Sequence, residues 1–274
     1  MDYWEININF SELHPWRDIA ISILDQKNFD SFVETKTGLK SYIAKDQFKD
    51  ELLTEIESWD SCTGWTKNLI EDRNWNAEWE SNFDPVLIGD KLAIVAPFHE
   101  EEFHQELKIT IQPQMSFGTG HHQTTYLASE RLFDLELIGT DVLDMGTGTG
   151  VLAILAEKLG AKFVFAPDID KWSFQNAQDN VKLNACKRIE LALGGHELVE
   201  GRTFDIVIAN INKNILIEHF SVYSKSLNSK GKLLISGFFE TDKNELIQVA
   251  EKNGFTFANL FVKDEWALLE FDKV

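Results

Sequence analysis

From about residue 140 onward, short apolar runs alternate with longer segments of mixed polarity. The runs are "TDVLDM", "KFVFAPD", "RIELAL", "FDIVIAN" and "GKLLIS". Near-continuous apolar strands separated by helical segments predict a parallel sheet buried on both faces. The last two runs, "FTFANLFV" and "WALLEF", are separated only by "KDE", which predicts a hairpin and an antiparallel sheet edge. The fold class that follows is α/β, a doubly wound Rossmann-like sheet with a hairpin at one side.

Before residue 70 the periodicity is different. "YWEININF" alternates as a half-buried strand does, and "SELHPWRDIAISILDQKNF" then places Trp16, Ile19, Ala20, Ile23 and Leu24 at helical spacing after a Ser start. "SFVETKTGLKSYIA" reads as a hairpin turning near Gly38, "KDELLTEIESW" as a second helix and "GWTKNLIED" as a further strand. The order strand–helix–strand–strand–helix–strand predicts a small α+β, ferredoxin-like domain.

Charge divides these two zones. The chain carries 45 Asp or Glu against 26 Lys or Arg, a net charge of −19. Ten of those acids fall in residues 71–106 against Arg73 and Lys91 alone. We therefore expect three parts: residues 1–70 as the ferredoxin-like domain, 71–106 as an acidic linker and 107–274 as the Rossmann-like domain. Trp75 and Trp79 lie four apart in the linker, on one helical face. They either staple the linker onto a domain or form an aromatic, acidic grip for a basic partner. The acidic balance has two readings as well, plain solubility or attraction of a basic protein, but it repels phosphate backbones. No nucleic acid is expected as a direct partner.

No run approaches the ~18 apolar residues of a membrane span, and no basic-then-apolar leader opens the chain. Cys62 and Cys186 form no paired motif, and His121–His122 lacks further ligands at metal spacing. A soluble, cytoplasmic, metal-free monomer without a membrane partner is expected.

Two glycine-rich stretches carry the candidate chemistry. In "VLDMGTGTGVLAILAEKLGA" a strand ends at Asp144, Gly146, Gly148 and Gly150 form the turn, and a helix begins at once. Ligands of such sheets bind at the carboxyl ends of the strands. A dinucleotide loop reads G-x-G-x-x-G; here Val151 stands at the third glycine, which weighs against a nicotinamide oxidoreductase. Asp168 ends the next strand, where a carboxylate can accept hydrogen bonds from both hydroxyls of a ribose. The acid before the glycines, the three alternating glycines and the second strand-end acid together point to S-adenosylmethionine. Asn210 ends "FDIVIAN" at the same edge, where its side-chain oxygen can meet an incoming amine or simply make a turn. In "FGTGHHQTT", Gly118 and Gly120 permit a tight path, and Thr124 or Thr125 can cap the following helix. The segment can fold over a bound cofactor as a lid. His121 and His122 are either general bases or solvated turn residues.

"NWNAEWESNFDPVLIGDKLAIVAP", "FGTGHHQTT", "LDMGTGTGVLAILAEKLGA", "DIDKWSFQNAQDNVKLN", "FDIVIANI" and "LLISGFF" occur in this order. Together they resemble the bacterial methyltransferase family that modifies ribosomal protein L11. The resemblance spans nearly the whole chain and is weakest before residue 60. It implies a seven-stranded catalytic domain, an N-terminal recognition domain, and methyl transfer from S-adenosylmethionine to lysine ε-amines and the N-terminal α-amine of that large-subunit protein. The family's cofactor contacts fall on Thr125, Gly146, Asp168 and Asn210, with Gly148 and Gly150 in the same loop, and Asn210 is the catalytic candidate. Thr147 and Thr149 replace the family's usual cysteine and serine, Lys171 followed by Trp172 replaces a common proline, and Asn212 replaces an apolar residue. A relative of the same fold with another protein amine or a small molecule as its target is the alternative.

Overall fold

The alternation in "YWEININF" becomes β1 (Tyr3–Phe10), which turns Ile6, Ile8 and Phe10 inward. It is followed by α1 (Trp16–Asp25), β2 (Ser31–Glu34), β3 (Gly38–Ala44), a 3₁₀ turn leading into α2 (Thr54–Glu57), and β4 (Cys62–Ile70). The strands form a four-stranded antiparallel sheet in the order β2-β3-β1-β4. The helices cover its apolar face, with Leu24, Leu39, Ile43, Leu53 and Ile56 in the core. The element order is the one the hydrophobic pattern predicts. Helix α1 starts at Trp16 and not at Ser11, because Ser11 directs both its N–H and its hydroxyl to Ser61 O, at 2.8 and 3.3 Å, closing the end of the sheet.

This computed structural model describes residues 2–70, 83–114 and 116–274. The chain divides into two compact units, Met1–Asn82 and Phe83–Val274. Trp75 and Trp79, with the rest of 71–82, lie outside the described residues. The other part of the expected linker, 83–106, is not a connector but part of the second unit. It holds β5 (Val86–Ile88) and β6 (Leu92–Val95), which form a three-stranded sheet with β7 (Leu107–Thr110). The count of acids obscured the hairpin "VLIGDKLAIV", whose Ile88, Leu92 and Ile94 are buried in the main core.

The remaining elements are α3 (Gln123–Leu132), β8 (Asp141–Met145), α4 (Val151–Lys158), β9 (Phe163–Asp168), α5 (Lys171–Leu183), β10 (Ile189–Leu193), β11 (Phe204–Asn210), α6 (Lys213–Ser226), β12 (Leu227–Phe239), α7 (Lys243–Lys252), β13 (Phe255–Lys263) and β14 (Trp266–Lys273). The strands form a seven-stranded sheet in the order β10-β9-β8-β11-β12-β14-β13. It is parallel from β10 to β12, and the last two strands are the antiparallel hairpin. Alternate strand residues feed opposite faces. Val142, Val164, Ile206 and Ile208 pack with α3 and α4, while Leu143, Phe165, Val207 and Leu233 pack with α6 and α7.

Strand order reverses between β8 and β11. Their connections leave in opposite directions and open a crevice at the carboxyl ends, the ligand position of such sheets. One buried charge cluster ties α3 to the hairpin edge. The Glu270 carboxylate, with no exposed side-chain area, accepts from Arg131 at 2.8 and 3.1 Å, from Lys232 at 3.0 Å and from Asn259 at 3.0 Å. Among the described residues no helix is long and apolar enough to cross a membrane.

Candidate active site

The glycine loop leaves β8 at the strand-order reversal. Gly146 and Gly148 adopt φ of 72° and 58°, the left-handed region where a side chain costs energy. A Cβ on Gly148 would lie 2.3 Å from Phe117 O, so only glycine lets the two loops touch. Gly150, at φ 84°, is the N-cap of α4 and packs toward Ala177 of α5. It shapes the helix start and does not face the crevice.

Both strand-end acids are buried, for different work. Asp168 accepts the Gly148 N–H on Oδ2 at 2.8 Å and the Asp170 N–H on Oδ1 at 2.9 Å. Each oxygen keeps a further acceptor site, and the residue lines the crevice. Asp144 turns inward, where one oxygen accepts the Thr147 hydroxyl at 2.6 Å and the Ala153 N–H at 3.1 Å. It thus satisfies an orphan donor in the first turn of α4. Burial pushes its carboxyl up to about 6, opposed by those two hydrogen bonds and assisted by the Asp168 charge.

The second glycine segment lies on this loop. Thr149 N–H donates to Phe117 O at 2.9 Å, and its hydroxyl donates to Gly118 O at 2.6 Å. The cap of α3 is His122, not Thr124 or Thr125: its Nδ1 accepts the Thr124 N–H at 3.3 Å. Both threonines are fully buried; Thr124 is part of the crevice lining, and Thr125 accepts from Asn210 Nδ2 at 3.4 Å. The His122 ring therefore spends its Nδ1 lone pair on the cap, and burial lowers its pKa, so the neutral ring carries its proton on Nε2. His121 Nε2 lies 2.9 Å from Asp84 O and Nδ1 3.1 Å from Thr119 Oγ1. Neither histidine offers a free base.

The crevice has a volume of about 460 Å³, within the roughly 300–1,000 Å³ of small-molecule sites. Its lining brings Gly146, Gly148 and Asp168 together with Asn210, Ile211 and Gly237. Aromatic rings form a wall. Trp266 lies 4.5 Å from His122 and 4.3 Å from Phe239, and Phe117 lies 5.1 Å from His122, centroid to centroid. Asn210 Oδ1 is buried with no hydrogen-bond partner. The sequence brings Gly146, Gly148, Asp168 and Asn210 to this one place. It did not disclose Trp266, which reaches the crevice only because β14 folds back antiparallel beside β12.

Residues 13–274 match the family described as Ribosomal protein L11 methyltransferase (PrmA). A Ribosomal protein L11 methyltransferase of Bacteroides fragilis is 40% identical over 99% of this chain and 99% of its own length. One from Porphyromonas gingivalis is 41% identical over 93% of this chain and 90% of its own. The chain belongs to the ribosomal protein L11 methyltransferase family. The crystal structure of a ribosomal protein L11 methylase from Lactobacillus delbrueckii subsp. bulgaricus superposes with a TM-score of 0.65 at 30% identity, over 70% of this chain and all of that one. A methyltransferase from Pyrococcus furiosus shares the fold, with a TM-score of 0.52 at 21% identity over 60% of this chain and 89% of that one.

As a member of the L11 methyltransferase family, the chain is an S-adenosylmethionine-dependent protein methyltransferase. Its crevice suits that cofactor. Glycines stand where side chains would fill the loop, an acid with spare acceptor sites stands at the second strand end, and a bare amide oxygen stands at the third.

Proposed function

We propose that this enzyme moves methyl groups from S-adenosylmethionine to lysine ε-amines and the N-terminal α-amine of ribosomal protein L11, with Asn210 receiving the amine. The observation that carries this reading is the buried, unpartnered Asn210 Oδ1 in the lining of the crevice. A buried acceptor without a donor costs about 1–3 kcal/mol, which an amine N–H entering the crevice would recover.

Asp168 would accept hydrogen bonds from the ribose hydroxyls of the cofactor, and Gly146 and Gly148 would let the backbone approach it. Thr125 acts through Asn210, holding its amide so that Oδ1 is the atom presented. When bound, S-adenosylmethionine supplies a methyl carbon made electrophilic by its sulfonium. The protein's part is to orient the amine and exclude water, and alignment of this kind contributes up to ~7–11 kcal/mol. Trp266, Phe117 and Phe239 strip water from the entering side chain. A free lysine titrates near ~10.4, and desolvation against this wall favours the neutral form that can attack. With both histidines engaged elsewhere, the proton leaves to water.

Recognition of L11 lies with the first unit, and the −19 charge of the chain favours the approach of a basic substrate. The test of the Asn210 role is Asn210→Ala. S-adenosylhomocysteine should still bind, while kcat falls about 100-fold, the usual cost of removing one oriented hydrogen-bond group at a reacting centre. Unchanged turnover in that variant would remove Asn210 from the mechanism.

A further inference from the structure

Helix α5 and its C-cap present Asn176, Asn180 and Asn184 at intervals of four residues along one face. All three grip the segment that continues from β7 toward the lid. Asn184 accepts the Thr110 N–H at 3.0 Å and donates to Thr110 O at 2.6 Å. Asn180 accepts the Gln112 N–H at 2.8 Å, and Asn176 donates to Gln112 O at 3.1 Å. Thr110 and Gln112 are alternate residues of an extended chain, so their amides point the same way. Four helical residues rise about 6 Å, close to the roughly 6.6 Å of two extended residues. The asparagines therefore serve that edge of the segment as a neighbouring strand would, while β6 pairs with the opposite edge of β7.

Asn180 differs from its neighbours in one respect. Its Nδ2 donates to Thr149 O of the glycine loop at 2.9 Å. Thr149 in turn holds the lid through Phe117 O and Gly118 O. Asn180 is fully buried and joins two pieces: the segment entering the lid, through Gln112, and the cofactor loop, through Thr149, which also contacts the lid. The rung nearest the chain entering the lid is the least complete, since Asn176 Oδ1 and Ser116 Oγ are both buried without partners.

We propose that Asn180 is a positioning residue that makes cofactor binding and seating of the 116–122 lid a single event. It does so by fixing the Thr149 carbonyl and the Gln112 amide against one side chain. The inference rests on the reading of the crevice as the S-adenosylmethionine site.

The test compares wild type with Asn180→Ala, Asn180→Asp and Asn184→Ala, using calorimetric titration of S-adenosylhomocysteine and steady-state kinetics. Asn180→Asp keeps an acceptor for Gln112 but sets a carboxylate against Thr149 O. Both Asn180 variants should raise the Kd and the cofactor KM about five- to tenfold, the effect of one lost hydrogen bond, with kcat at saturation nearly unchanged. Asn184→Ala removes three side-chain hydrogen bonds against the two of Asn180, without touching the loop, so it should lower thermal stability and leave the Kd at the wild-type value. An unchanged Kd in the Asn180 variants, or an equal loss in Asn184→Ala, would overturn the proposal. Failure of the wild-type protein to bind S-adenosylhomocysteine would instead overturn the reading of the crevice. If the variants do not fold, hydrogen exchange on wild type decides. The Gln112 and Thr149 amides should gain protection together on S-adenosylhomocysteine binding, and protection of Thr149 alone would refute the coupling.

Discussion

Asp144 and Asp168 show how one residue type does two jobs on neighbouring strands. Asp168 keeps acceptor capacity toward the crevice, whereas Asp144 is sealed under the loop and its carboxyl is raised from 3.8 to about 6. A raised carboxyl binds its proton more tightly folded than unfolded, so between those values the native state holds more protons. Stability from this group is therefore largest below about pH 4 and falls as pH rises to about 6. The loss is at most about 3 kcal/mol, two units at ~1.4 each. Thermal denaturation from pH 4 to pH 7 should show this slope in wild type and lose it in Asp144→Asn, and an identical pH dependence in the two would count against it. Of the residues the sequence marked, Gly146, Gly148, Asp168 and Asn210 meet at the crevice because strand ends and loop glycines are local features. The cap of α3 was not legible in the same way. Thr124 and Thr125 have the right chemistry, but the chain puts His122 at the N-cap and leaves Thr124 to donate to it.

At the scale of elements, strand and helix order was readable before residue 71 and after residue 122, where period-two and buried-strand patterns dominate. What escaped was the small sheet of β5, β6 and β7, where surface acids outnumber the few buried residues that define the strands. The Glu270 cluster was equally hidden, since its cations Arg131 and Lys232 are 139 and 38 residues away in sequence. Arg131→Ala leaves part of that buried charge unpaired and should cost about 3 kcal/mol in urea unfolding. Glu270 is pushed up by burial but held below its ordinary value overall by Arg131, Lys232 and Asn259. A loss below about 0.5 kcal/mol, the level of an exposed ion pair, would mean that the cluster does not anchor α3.

At the scale of the whole molecule, the proposed choice of substrate rests on charge and on the division into units. A net charge of −19 should draw a basic protein by long-range attraction that salt screens, with a Debye length near ~8 Å at physiological ionic strength. The KM for L11 should accordingly rise several-fold between low and high salt, with the cofactor KM little changed, and a flat response would leave recognition to contact alone. The first unit has its own core, so a chain lacking residues 1–82 should bind S-adenosylhomocysteine yet lose methylation of L11. The most direct measurement of the central claim is transfer of tritium from methyl-labelled S-adenosylmethionine into unmethylated ribosomal proteins, resolved by mass. The account predicts label in L11, on lysines and the N-terminal amine, incorporated about 100-fold more slowly in Asn210→Ala. Label in a different protein, or none at all from an enzyme that binds S-adenosylhomocysteine, would contradict it.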